Sequence, residues 1–314
     1  MGRRNRSVLV STRSGEMVLR QYRSWWTQDA VLWEHSILTR LAELGFCAPR
    51  LRRTKTTDSY VALGSSLFSL VDYVEGTSYA QAIMPRSLHL ELLRRAGRAL
   101  ARFHRTLMHF APQGQHHLGF GPDGQDRRPG VDWYQQRLQE LTSKLGTANG
   151  NSDTTYIHKL VQHSTSLIDR LYHLESVLKG RVLPTVIVHG DYGLHNIVFR
   201  RGKELALLDF ELARLEWRLI EIVQVVSRYW DCERPDMSDQ IEAIVASYVS
   251  EYPLSPDEWR LFPEVWAYYH LRATVQYWNS YWQVSPDTRR LRRALYSLRC
   301  SESGASACAK VRMA

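Results

Sequence analysis

Three oxygen-bearing side chains stand out by type and spacing: Asp191, Asn196 and Asp209. The first two share the run Val186-Ile187-Val188-His189-Gly190-Asp191-Tyr192-Gly193-Leu194-His195-Asn196, and the third closes the apolar run Leu207-Leu208. Phosphoryl transfer calls for such a set. Its transition state is loose, so catalysis is mostly positioning and charge neutralisation. One carboxylate must orient the acceptor hydroxyl. An amide oxygen and a second carboxylate must hold Mg²⁺, which takes hard oxygen ligands and bridges phosphates.

The elements around these residues read as strands first and helices later. Ser7–Val10 and Met17–Tyr22 flank Arg13-Ser14-Gly15, which predicts a hairpin turn. Thr27 predicts the cap of a helix with Trp33, Ile37, Leu41 and Leu44 on one face, ending at Gly45 before Pro49. Tyr60–Leu63 and Leu67–Tyr73 read as two more strands. From Ser87 the period becomes helical, through Leu88, Leu92, Ala96, Ala99, Phe103 and Leu107. Gln113 to Gly130 reads as a loop, and Ile157 to Leu178 as one long helix. Thr185–Val188, Ile197–Arg200 and Leu205–Leu208 are predicted strands around the candidate site, and helices follow from Trp217 to Leu298. Residues 301–314 lack periodicity and are expected to be a disordered tail.

Composition narrows the function classes. The 314 residues carry 41 Lys and Arg against 32 Asp and Glu, a net charge of +9. The surplus favours anionic partners, but it is dispersed. Arg50, Arg52, Arg53 and Lys55, and Arg289, Arg290, Arg292 and Arg293, read as solvated surface charge rather than a nucleic-acid site. The four cysteines, Cys47, Cys232, Cys300 and Cys308, have no zinc-like spacing. They are expected to be reduced thiols in a cytoplasmic protein. Val8-Leu9-Val10 is too short for a signal peptide's apolar region, and no segment is long enough to span a bilayer.

His189-Gly190-Asp191, then Asn196, then Asp209-Phe210 resembles the aminoglycoside phosphotransferase/choline kinase family, and within it the homoserine-kinase-like branch. These are relatives of the protein kinases, whose loop has Arg where this chain has Gly190 and whose metal triplet ends in Gly where it has Glu211. The resemblance implies an α+β, bilobal, protein-kinase-like fold. Residues 1–75 would be a small β-rich nucleotide-binding lobe, and residues 76–300 a larger, mostly helical catalytic and acceptor lobe. It implies that Asp191 is the catalytic base, that His189 supports the loop, and that Asn196 and Asp209 bind Mg²⁺. Arg20 would bind ATP phosphates and pair with Glu34, while the Asp72 carbonyl and Val74 amide would read adenine at the hinge. Glu221 is expected to hold the catalytic segment through backbone amides. Only Met1 to Arg4 precede Asn5, so the family's first strand and glycine loop are expected to be shortened.

The expected activity is ATP-dependent phosphorylation of a hydroxyl on a small metabolite or aminoglycoside-like acceptor, with neither nucleic acid nor membrane as partner. The alternative is a kinase-like nucleotide-binding module without phosphotransfer. Trp266, Tyr269, Ala273, Tyr277 and Tyr281, with Tyr268, Trp278 and Trp282 beside them, are at the spacing of a cationic-ligand box, but packing is the preferred reading. Arg214, Arg218 and Arg272 are candidate contacts for an anionic acceptor, and His195 is read as a surface histidine.

Overall fold

The computed structural model describes residues 5–13, 15–78, 85–121, 125–144, 153–200, 204–230, 238–284 and 286–313. Met1 to Arg4, where the shortened nucleotide loop was expected, and Cys232 lie outside them.

The chain opens with a hairpin of β1 (Arg6–Thr12) and β2 (Gly15–Gln21), in which Ser7 faces Arg20. Helix α1 (Gln28–Glu43) follows, and the Thr27 hydroxyl caps it by accepting the Ala30 amide at 3.2 Å. Three strands complete the sheet: β3 (Leu51–Arg52), β4 (Val61–Leu63) and β5 (Ser66–Asp72). The order is β1-β2-β5-β3, with β4 also on β5, all antiparallel. Strand β6 (Thr77–Ser78) then leads to α2 (Arg86–Thr106), α3 (Val131–Ser143), α4 (Asp153–Gln162) and α5 (Ser164–Leu178).

Short strands return at β7 (Thr185–Val188), β8 (Ile197–Phe199), β9 (Ala206–Leu207) and β10 (Arg214–Trp217). They form a β10-β7 pair and a β6-β8-β9 sheet. The remainder is helical: α6 (Arg218–Ser227), α7 (Ser238–Glu251), α8 (Pro256–Gln283), α9 (Thr288–Cys300) and α10 (Gly304–Met313). The fold is therefore α+β and bilobal, with a β-rich N-terminal lobe and a helical C-terminal lobe.

Packing divides the chain into two compact units, Met1–Arg127 with Thr185–Glu221 and Ala243–Pro253, and Arg128–Pro184 with Ile222–Glu242 and Leu254–Ala314. In the first, α1 buries Val31, Trp33, Ile37 and Leu41, and α2 buries Leu93, Ala96, Leu100 and Phe103. Gly97 lets α7 approach, because a Cβ there would lie 2.0 Å from the Ile244 carbonyl. In the second unit α8 runs 28 residues from a capping box at Ser255 and Glu258. Its Trp266 and Trp278 are fully buried and Tyr268 and Tyr281 nearly so, which is packing rather than an open aromatic box.

Two expectations are corrected. Residues 157–178 form two helices rather than one, separated at His163. The tail is not disordered: α10 buries Ala307, Cys308 and Val311. Its small residues carry no sequence rhythm, yet they permit close contact, and a Cβ at Gly304 would meet the Pro263 carbonyl at 2.8 Å.

Candidate active site

The predicted loop leaves β7 at His189. Glu221, fully buried on the first turn of α6, accepts the His189 amide at 2.8 Å and the Gly190 amide at 2.7 Å. His104 of α2 lies 2.8 Å from the same carboxylate and is held by the Tyr248 hydroxyl at 2.8 Å. Burial alone would raise the Glu221 pKa, but His104, His189 and the loop amides together lower it, so the group stays ionised. Glu221 thus anchors the loop as the sequence led us to expect.

Gly190 has φ +81°, and a Cβ there would fall 2.2 Å from the Leu212 carbonyl. No other residue fits that position without moving the backbone after Asp209. The His189 ring is buried beside Phe103 and Phe210 and bonds the Leu208 carbonyl through Nε2 at 2.8 Å. It joins the start of the loop to the residue before Asp209. Burial lowers its pKa, so the ring is neutral.

Asp191 is half-exposed. Asn196 donates through Nδ2 to the Asp191 carbonyl at 3.0 Å and to its carboxylate at 3.3 Å. That leaves the amide oxygen of Asn196 as its acceptor. His195 is exposed as expected, but its Nε2 also lies 3.2 Å from the Asp191 carboxylate. The Leu208 amide bonds the Asn196 carbonyl at 2.9 Å, which continues the β8–β9 ladder and brings Asp209 beside Asn196. Asp209 itself has φ 62° and ψ 70°, a left-handed conformation uncommon for a non-glycine residue and typical of strained functional sites.

Arg20 of β2 reaches two acids. Its Nη1 lies 2.9 Å from Glu34 Oε1, and its Nη2 lies 3.2 Å from Asp209 Oδ1. Burial opposes the Arg20 charge, but Glu34, Tyr22, Asp209 and Glu211 outweigh it and raise the pKa. Burial pushes the Glu34 carboxyl up while Arg20 pulls it back. Helix α1 is further tied to the segment after Asp209 by the Trp33 indole, which donates to the Ala213 carbonyl at 2.8 Å.

The hinge segment continues β5. The Asp72 amide bonds the Arg50 carbonyl at 2.9 Å and the Tyr73 amide bonds the Glu16 carbonyl at 3.1 Å. Among the described residues, the Asp72 carbonyl and the Val74 amide have no hydrogen-bond partner. The Asp72 side chain instead pairs with Arg52 at the surface.

Several participants escaped the sequence reading. Glu211 is pushed up to about 7, first by burial and then by Asp209, with Glu34 and Asp191 adding to it. It also accepts Asn5 Nδ2 at 2.5 Å. Behind Glu34 stands Tyr22, whose hydroxyl lies 3.1 Å from Glu34 Oε2 and 3.0 Å from His35 Nε2. The sequence carries no cue to this meeting, because Glu34 and His35 are adjacent on α1 and converge only on the hydroxyl of Tyr22, which directly follows β2. Of the three arginines considered for an acceptor, Arg218 is buried over the Tyr252 ring and bonds the Pro253 carbonyl at 3.1 Å, a structural role.

Asp191, Asp209, Glu211 and Glu34 act on one another electrostatically, an acid-rich site with hard oxygen donors. That fits a divalent cation. Among the described residues no group of three or more acids, histidines or cysteines forms a cage. Mg²⁺ asks for none, since it uses one or two protein oxygens with waters and substrate phosphates.

This loop, its buried anchor and the Arg20–Glu34 pair agree with a match of residues 1–260 to the phosphotransferase enzyme family. The chain belongs to that family. Solved structures share its fold at low identity. An amicoumacin kinase has a TM-score of 0.68 and 14% identity, over 96% of this chain and 87% of that one. A microcompartment-associated aminopropanol kinase has a TM-score of 0.65 and 16% identity, over 97% and 90%. An aminoglycoside phosphotransferase from Alicyclobacillus acidocaldarius has a TM-score of 0.64 and 15% identity, over 99% and 92%. No curated protein sequence matches the chain. Among the described residues no helix is long and apolar enough to cross a membrane.

Proposed function

We propose that the chain is an ATP-dependent kinase that transfers the γ-phosphoryl group to a hydroxyl of a small molecule. The observation that carries this reading is the joining of Asp191, Asn196, Asp209, Arg20 and Glu34 through one hydrogen-bonded framework anchored on Glu221.

Asp191 is the residue that orients the acceptor hydroxyl and receives its proton. Its half-exposed carboxylate is steadied by Asn196 and His195, so it presents a fixed oxygen rather than a rotating one. Asn196 and Asp209 would hold Mg²⁺, which when bound neutralises charge on the transferring phosphates. Arg20, oriented by Glu34, places a planar cation toward the same phosphates. The Asp72 carbonyl and Val74 amide offer one acceptor and one donor for the adenine edge. We place the enzyme in the cytoplasm, as its free thiols at Cys47, Cys300 and Cys308 favour.

For the acceptor we take the chemistry of the homoserine-kinase-like branch as the starting point. The solved relatives named for an aminopropanol and for amicoumacin widen the choice to amino alcohols and antibiotics. The test is a phosphorylation screen of purified protein with Mg-ATP against amino alcohols, hydroxy amino acids, sugars and aminoglycosides. Acceptor-dependent ADP release that disappears in Asp191→Asn supports the proposal. Nucleotide binding without transfer to any acceptor class would favour the non-catalytic module instead.

A further inference from the structure

On the side of α1 away from Asp209 lies a cavity of about 200 Å³. Its polar wall is made by His35, Ser36, Arg40, Arg53, Ser59 and Gln113. Two cations face it against a single acid, Glu43, which is exposed and engages only Arg40 Nη1. The Arg40 Nε is buried and has no hydrogen-bond partner. Arg53 donates through Nη2 to the Thr39 hydroxyl at 3.2 Å and directly precedes the turn from Thr54 to Asp58, in which the Thr54 amide bonds the Asp58 carbonyl at 2.9 Å and Thr57 has φ 69°. A β-branched residue held in that conformation marks an over-determined turn.

From this cavity a hydrogen-bond chain runs inward. Ser59 Oγ lies 2.8 Å from His35 Nδ1. His35 Nε2 lies 3.0 Å from the Tyr22 hydroxyl, which lies 3.1 Å from Glu34 Oε2. Glu34 holds Arg20. His35 and Ser59 are both buried, and each step of the chain is a direct contact.

We propose that this cavity is a second ligand site, for the phosphate group of a small molecule, coupled through Ser59, His35 and Tyr22 to the Glu34–Arg20 pair. This goes beyond the kinase reading and uses none of its catalytic residues for binding. Arg53 and Arg40 supply charge-assisted donors, and the Ser59 hydroxyl supplies a third.

The coupling follows from counting protons. With the cavity empty, the Ser59 hydroxyl donates to His35 Nδ1, so the proton of the neutral ring sits on Nε2 and donates to Tyr22. Tyr22 then gives its own hydroxyl proton to Glu34. When a phosphate oxygen takes the Ser59 hydrogen bond, Ser59 Oγ is left as an acceptor and the ring proton moves to Nδ1. Nε2 becomes an acceptor and draws the Tyr22 proton away from Glu34. No proton is gained or lost. Glu34, short of one donor, holds Arg20 more tightly, and Arg20 is less available to nucleotide phosphates. Burial keeps His35 neutral, at about 3, as the relay requires.

The test titrates inorganic phosphate by calorimetry, with Mg²⁺ and a non-hydrolysable ATP analogue filling the nucleotide site. Glycerol phosphate is run in parallel, to tell free phosphate from phosphate carried on a metabolite. We expect saturable binding that Arg53→Ala weakens roughly tenfold, the size of one lost charge-assisted contact. Phosphate should also exchange the protonated and unprotonated nitrogens of His35 in ¹⁵N spectra, whether or not nucleotide binds. By linkage, the analogue's affinity should fall by about the factor by which analogue weakens phosphate, and Ser59→Ala should abolish that coupling. Phosphate that competes with the analogue for one site, so that saturating analogue abolishes its binding rather than weakening it by a finite factor, that ignores Arg53→Ala, or that leaves the His35 nitrogens unmoved overturns the proposal.

Discussion

Nη2 of Arg20 lies 3.2 Å from Oδ1 of Asp209, across 189 residues of sequence. The same guanidinium holds Glu34 at 2.9 Å, so one planar fork joins the β-sheet, helix α1 and the left-handed residue that follows β9 by two positions. Lysine in its place is a point charge that cannot serve both acids with fixed geometry. Arg20→Lys should therefore weaken Mg²⁺-dependent nucleotide binding roughly tenfold, and Asp209→Ala should remove its metal dependence. Calorimetry with and without Mg²⁺ reads both, and unchanged affinities would argue against these roles.

The loop that carries Asp191 hangs from Glu221 and His189. Asp191→Ala should abolish phosphoryl transfer, while the unfolding free energy from urea denaturation stays within about 1 kcal/mol of the parent. Wild-type turnover in this variant would remove Asp191 as the base.

Glu221 carries a different burden. Its removal leaves two buried amides and the His104 ring without their acceptor. Glu221→Ala should cost about 3–5 kcal/mol, as buried charged networks do when one partner is lost. Because the pKa of Glu221 is lowered in the folded state, its contribution is present above the ordinary carboxylate range and is lost as pH falls through the folded value. A urea titration near neutral pH tests the magnitude.

A cleaner pH signature belongs to His270 in α8. Burial holds it down at about 3, and its Nε2 lies 3.0 Å from Ser227 Oγ. The unfolded chain takes up a proton near pH 6.5, which the folded chain refuses until pH nears 3. In that window stability falls as pH falls, by up to about 1.4 kcal/mol per pH unit for this one group. His270→Gln should flatten the urea-stability profile of the parent by about that slope between about pH 6.5 and about pH 5. Parallel profiles for the two proteins would contradict it.

Local chemistry was legible where it is repeated or enforced by residue type. Thr27 reads as a cap because its hydroxyl has an orphan amide within reach. The alternation of Met17 to Tyr22 reads as a strand. Glu221 could be placed because the family resemblance puts an acid at that helix start, where it can accept backbone amides. What escaped depends on neighbours distant in sequence. Tyr22 and His35 gain meaning only once the chain is packed, which sets Ser59 against the His35 ring and Ser69 against the Tyr22 hydroxyl. Small residues from Gly304 onward have no apolar rhythm, because they fit by closeness rather than by bulk. Likewise Arg218 reads as a candidate contact for an anionic acceptor until the Tyr252 ring is seen 4.0 Å from its guanidinium.

The Leu212 carbonyl occupies the space where a side chain at position 190 would begin. Protein kinases that are switched on by a phosphate on a mobile segment depend on basic side chains to grasp it. Gly190 stands where their loop has such an arginine, and here that handle is structurally barred rather than merely missing. An arginine introduced at position 190 would therefore displace the segment after Asp209 rather than reach a phosphate beside it.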